Sequence, residues 1–161
     1  FGHVNLTSRD WRRLAAFYTQ VFGCTFVPPE RDIRGPVLDA GTGLSGAHLT
    51  GAHLRLPGHG DSGPPLEIFS YDDLTDAAPT RVDRAGIAHL AFAVDDVAAA
   101  IPVVLAAGGG QVGEMVTTAT ADGRRCTVVL RELDIRGEKV PELSAGKSWR
   151  WPAWVQKVLT R

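Results

Sequence analysis

The chain has 161 residues with 17 Lys and Arg against 18 Asp and Glu, a net charge of −1, so neither nucleic acid nor an anionic membrane is an electrostatically favoured partner. The longest apolar run is far too short to span a bilayer, and the N-terminus lacks a charged segment followed by an apolar core, which makes the cytoplasm the expected compartment. The two cysteines, Cys24 and Cys126, have no CxxC spacing, so a thiolate zinc site is excluded and both read as buried free thiols, with a single disulfide as the alternative.

The N-terminal stretch alternates, with Val4 and Leu6 on one face of a strand and His3, Asn5 and Thr7 on the other. Asp10, or Ser8 just before it, is placed to cap a helix. Leu14, Phe17, Tyr18 and Val21 recur there at helical spacing, and Gly23 closes the element. Trp11 on this helix is expected in the core or at a dimer contact. Residues 28–46 are rich in Pro and Gly, AHLRL (52–56) alternates, and PGHGDSGPP (57–65) is a loop. His48 and His59 lie in Gly-rich stretches and read as solvated. LEIFSY (66–71) alternates again, with Leu66, Ile68 and Ser70 on one face and Glu67, Phe69 and Tyr71 on the other. Residues 73–85 are polar, contain Pro79 and mark a linker, which leaves 1–72 as a first module.

The second module, 86–146, opens on GIAHLAFAVDD (86–96). Ile87, Leu90, Phe92 and Val94 form an apolar face, imperfect at its start, while His89 shares the other with Ala91 and Ala93. Alanines suit neither solvation nor dense packing, so that face is expected to border a cavity. Asp95 or Asp96 caps the next helix, Val97, Ile101, Val104 and Leu105 carry its apolar stripe, and Gly108 to Gly110 stop it. Pro102 is expected to shorten or kink it. QVGEMVTTAT (111–120) and RRCTVVLREL (124–133) read as strands around an ADG turn at 121–123. A last strand region, KVPELS, precedes a tail at 147–161 whose Trp149, Trp151 and Trp154 suggest packing on the chain's own domain or on a second subunit.

The two halves match. Superposing GHVNLTSRDWRRLAAFYTQVFGC on AHLAFAVDDVAAAIPVVLAAGGG brings His3 onto His89, Asp10 onto Asp96 and Gly23 onto Gly109. The pattern is βαβββ twice, an α+β architecture. If Leu66 and Ile68 face the helices, then Glu67 faces where His3 and His89 face, and three metal-competent side chains line one concavity. Glu142 in the last strand region is a fourth candidate, preferred over Glu138. Two imidazoles and two carboxylates suit one borderline divalent ion (Zn, Ni, Co, Mn or Fe) with room for a bidentate substrate.

HVNLTSRDWRRLAAFYTQVFG, PLEIFSY and GIAHLAFAVDDV together resemble the vicinal oxygen chelate superfamily, which includes glyoxalase I, methylmalonyl-CoA epimerase, extradiol dioxygenases and the fosfomycin and bleomycin resistance proteins. The resemblance implies two βαβββ modules forming a half-barrel-like mixed sheet around a central cavity, and a homodimer. By position it makes His3, Glu67, His89 and Glu142 the metal ligands, although DIRGEKVPEL departs from the D-P-x-G-N-x-x-E-L ending usual in the family.

A lyase, isomerase or epimerase that removes a proton next to a carbonyl of a small oxygenated metabolite is implied, with Glu142 as leading base and Glu67 second. Thr7 and Tyr71 stand where bacterial glyoxalases carry the arginine and asparagine that hold glutathione, so the substrate is expected to be glutathione-independent. The alternatives are a non-haem Fe(II) dioxygenase and a non-catalytic drug- or metabolite-binding protein of the bleomycin-resistance type. His53, Arg55, Phe69 and Tyr71 are the candidate substrate-binding residues: the first two line either the cavity or a solvent-facing edge, and the aromatics form a cavity wall or ordinary packing.

Overall fold

The computed structural model describes residues 2–75, 83, 85–87 and 89–119, with the backbone of 125–132. They fall into two compact units, one within Phe1–Asp76 and the other within Ala77–Glu142.

In the first unit β1 (Val4–Thr7), α1 (Trp11–Phe22), β2 (Thr25–Arg34), α2 (Pro36–Thr42), β3 (His48–Arg55) and β4 (Pro65–Tyr71) follow in chain order. The strands make one sheet in the order β1-β4-β3-β2, with β1 parallel to β4 and the other neighbours antiparallel. Helix α1 starts where the Asp10 carboxylate accepts from the Arg13 amide at 2.9 Å, which satisfies one of the amides a helix start leaves unpaired. It stops at Gly23, whose φ of 72° is a left-handed conformation that glycine adopts without a side-chain clash. Trp11, Leu14, Phe17, Tyr18 and Val21 are buried on its inner face, and the Trp11 amide donates to Ser70 Oγ of β4 at 3.0 Å.

That bond places Ser70, and with it Leu66 and Ile68, on the helix side of the sheet. Leu54, Leu66 and Ile68 are fully buried there, each worth roughly 1.5–3 kcal/mol of transfer free energy. The interior of this unit is therefore one helix laid on one sheet face, and the opposite face is left for other work.

The Pro- and Gly-rich stretch 28–46 is more regular than its composition suggests, for it holds most of β2 and all of α2. Proline is tolerated in β2 because that strand is at the end of the sheet order and its register shifts between Val27 and Arg31. Val27 pairs with His53 and Arg31 with Gly51, so four steps along β2 answer two along β3. Strand β3 also begins earlier than the alternation of 52–56 indicates, and it takes in His48.

The second unit contains α3 (Val97–Ala106), β5 (Gly110–Ala119) and β6 (Arg125–Glu132). Its helix repeats the first: the Asp96 carboxylate accepts from the Ala99 amide at 3.0 Å. It is 10 residues long against 12 for α1 and contains Pro102, in line with the shortening expected of an internal proline. The β5–β6 hairpin repeats the irregularity of the first unit as well. Val112 pairs with Leu130 and Val116 with Val128, again four steps against two, with Gly113 at φ 72° inside the bulge. Caps 86 residues apart and bulges 85 residues apart are the structural trace of an internal duplication.

One expectation is corrected here. The described residues of 87–94 form no strand, because a strand needs a neighbour to close its ladder and none of the described strands pairs with them. Their alternation survives as burial: Leu90, Phe92 and Val94 are half-buried, while His89, Ala91 and Ala93 are exposed. Ile87, assigned by the sequence to the apolar side, is exposed.

Candidate functional site

With Leu66, Ile68 and Ser70 turned to α1, the period of two turns Glu67, Phe69 and Tyr71 to the open face of the first sheet. Parallel pairing sets Asn5 beside Glu67, and His3 reaches the same face. Antiparallel pairing sets His53 opposite Glu67 and Gly51 opposite Phe69. Three strands thus bring their chemistry to one place.

Its centre is the Glu67 carboxylate, only 15% exposed, with one imidazole at each oxygen. Oε2 lies 3.5 Å from Nε2 of His3, and Oε1 lies 3.3 Å from Nε2 of His53. Phe69 stacks obliquely beside His53, their rings 5.9 Å apart. It also leans over Gly51, where a Cβ would strike its ring and the Ile68 carbonyl oxygen. Only glycine at position 51 leaves that aromatic in place. Arg55 is directed to the loop after β3 by a 3.1 Å ion pair with Asp61.

Sequence reasoning missed Arg31, which follows the β2 bulge and places an Nη 3.3 Å from Nδ1 of His53. The bulge hides it, because two extra residues between paired positions move Arg31 from opposite Leu49 to opposite Gly51, a shift of register that alternation within one strand does not report. Partial burial, then the Arg31 guanidinium, push the His53 pKa below the usual imidazole value of 6.5, with His3 adding to the fall and Glu67 opposing it.

Sequence reasoning also misplaced His48. It is not a solvated loop residue but the first residue of β3, with its side chain 18% exposed between two carboxylates. Its Nδ1 lies 2.8 Å from Asp72 and its Nε2 2.9 Å from Asp32, with Arg34 beside it. Hydrogen bonds that His48 donates to those carboxylates, Asp72 first, raise its pKa, and the bond from His48 is the largest effect lowering that of Asp32. His48, Asp32 and Asp72 occupy even-numbered positions, which turn to the other side of the sheet from Glu67. His59 is exposed in the loop after β3.

The other candidates are distributed as follows. His89 belongs to the second unit and is exposed. Glu142, its alternative Glu138, and the tail with Trp149, Trp151 and Trp154 lie outside the described residues, as does the side chain of Cys126. Cys24 is a free thiol, 1% exposed. Among the described residues no group of three His, Cys, Asp or Glu is arranged to hold a metal ion. What the first unit offers such an ion is a pair, the His3 imidazole and the Glu67 carboxylate, and those donor types suit a borderline divalent cation. None of the described helices is long and apolar enough to cross a membrane.

Residues 1–132 match the family model of the Glyoxalase/Bleomycin resistance protein/Dioxygenase superfamily. Among solved structures, a glyoxalase family protein from Bacillus cereus superposes with a TM-score of 0.63 at 14% identity, covering 82% of this chain and 93% of that one. A glyoxylase/bleomycin resistance protein/dioxygenase domain from Frankia sp. EAN1pec is 21% identical with a TM-score of 0.48, over 80% of this chain and 89% of that one. The fosfomycin resistance protein FosX from Listeria monocytogenes, complexed with Mn(II) and sulfate, is 14% identical with a TM-score of 0.41, over 82% and 90%. No curated protein matches the chain significantly.

Proposed function

The chain belongs to the Glyoxalase/Bleomycin resistance protein/Dioxygenase superfamily, and on that premise we propose that it is a divalent-metal-dependent enzyme of the isomerase, epimerase or lyase type. Its substrate is a small oxygenated metabolite without a glutathione moiety, from which it removes a proton next to a carbonyl. The observation that carries this reading is the Glu67 carboxylate on the open sheet face, shielded from water and met by His3 at one oxygen and His53 at the other.

In this reading His3 and Glu67 hold the ion together with His89 and Glu142. When bound, the ion supplies a Lewis acid that stabilises the negative charge developing on a substrate oxygen. The chain's own groups do the rest. A carboxylate at this site takes the proton, with Glu142 the leading base and Glu67 the second. His53 donates to Glu67 and holds its orientation. Phe69 and Tyr71 form an apolar wall that keeps water from the carbanion side. Arg55, on the same face and tethered by Asp61, attracts an anionic group of the substrate.

Elemental analysis of the purified protein tests the first step. A stoichiometric divalent ion, lost in His3→Ala and His89→Ala variants, is the expected result. Metal-free protein that still binds small molecules tightly would replace the enzyme with a sequestering module, and oxygen consumption with a catechol would replace it with a dioxygenase. Exchange of a carbonyl-adjacent proton for deuterium, followed by NMR over a panel of small oxo-acids and their thioesters, tests the chemistry.

A further inference from the structure

We propose that Arg31 is a positioning residue for Glu67, acting through His53. A guanidinium has donors and no acceptor, so at 3.3 Å its Nη donates to His53 Nδ1. An imidazole that accepts at Nδ1 carries its proton on Nε2, and that atom lies 3.3 Å from Glu67 Oε1. The contacts therefore run one way, from the Arg31 donor through His53 to Glu67, with the Nε2 proton beside Oε1. Oε2, on the side of His3, is left as the oxygen available to a cation.

The backbone is arranged for this contact. His53 and Glu67 are direct cross-strand partners, but Arg31 is paired with Gly51, two residues along β3. The guanidinium reaches the imidazole across a position that has no side chain. Without the two extra residues of the bulge, Pro29 would stand opposite Gly51 and no donor would reach Nδ1. The other tautomer would place a lone pair of His53 against the carboxylate and loosen it. Second-sphere hydrogen bonds of this type fix the orientation of metal-binding carboxylates in general; here the link is assembled from three neighbouring strands.

The inference rests on the reading of Glu67 as a metal-binding carboxylate, and its test separates the two. Long-range 15N–1H correlation spectra of the histidine rings, recorded above the imidazole range on wild type and on Arg31→Lys and Arg31→Leu variants, report the tautomer of His53 whether or not metal binds. The expected result is an Nε2–H tautomer in wild type and in Arg31→Lys, lost or mixed in Arg31→Leu. Isothermal titration with Zn(II) is expected to show binding weakened by about ten- to hundredfold in Arg31→Leu and restored in Arg31→Lys. An unchanged His53 tautomer in Arg31→Leu overturns the proposal, as does a changed tautomer with unchanged Zn(II) affinity. Wild type that binds no divalent ion overturns the metal reading, and with it the role assigned to Arg31, even if the tautomer follows the substitution.

Discussion

His53 and Glu67 face each other across neighbouring antiparallel strands, Nε2 to Oε1 at 3.3 Å, on the sheet face turned away from the only long helix described in the first unit. The two faces thereby differ: helix α1 and most of the apolar interior lie on one, and the Glu67 cluster lies on the other. Substitutions on the two faces should behave differently.

On the open face, Glu67→Gln preserves shape and removes the charge. It is expected to slow carbonyl-adjacent proton exchange by at least about a hundredfold and to weaken divalent-ion binding, while thermal unfolding shifts little. Calorimetric unfolding beside the exchange assay checks both halves. A variant as active as wild type would remove Glu67 from the chemistry.

On the helix face, Ile68→Ala and Leu54→Ala each empty a fully buried position. A loss of about 2–5 kcal/mol is expected for each, the transfer free energy of the side chain plus the cavity it leaves. Urea unfolding with an unchanged slope would measure it.

Gly51→Ala tests the close approach of β3 to Phe69. The added methyl meets the Phe69 ring and the Ile68 carbonyl oxygen, and only the ring can move aside. Destabilisation of about 1–3 kcal/mol is expected, along with loss of the oblique Phe69–His53 contact, visible as a change in aromatic ring-current shifts. The companion Gly51→Ala/Phe69→Leu variant should recover part of the stability.

The His48 clasp makes stability depend on pH in a defined direction. The His48 pKa is raised in the folded state, so its contribution is fully present below the ordinary imidazole value of 6.5 and is lost as pH rises through the raised value. That of Asp32 is lowered, so its contribution is present above the ordinary 3.8 and lost as pH falls through the lowered one. The clasp is strongest in the window between, where imidazolium faces two carboxylates. Unfolding temperatures of His48→Gln measured across this range should follow a flatter profile than wild type, and identical profiles would dismiss the clasp.

Alkaline conditions act on the interior instead. Burial pushes the Cys24 thiol up from 9.0 to about 11, and burial followed by the charge of Cys24 pushes Tyr18 from 10.0 to about 12. Both groups stay neutral in the fold while the unfolded chain ionises, so stability falls from about pH 9 upward as pH climbs through the raised values. Cys24→Ala should lessen the first part of that fall. Slow alkylation of Cys24 in native protein at neutral pH, rapid once urea is added, would check its seclusion.

The features legible in the sequence were those set by near neighbours along the chain. The caps at Asp10 and Asp96, the stripe from Leu14 to Val21, and the facing of Leu66, Glu67 and Ile68 follow from local periodicity, and the structure carries each of them. The duplication was legible for the same reason, since two copies of a local pattern can be superposed. Arg31 and His48 were not. The partners of His48 come from β2 and from the turn after β4, and the neighbours of Arg31 depend on a bulge that shifts the register. The alternation at 87–94 gave the burial of those residues correctly from Leu90 onward, but pairing is a property of two segments and alternation reports only one.

Pro28 and Pro29 contribute no amide hydrogens to β2, the last strand in the sheet order, and the register shift beside them twists its rim out of line. A foreign extended segment approaching there finds no continuous row of donors to zip against. Among the described strands, that end of the sheet is thereby a poor template for amyloid-like stacking.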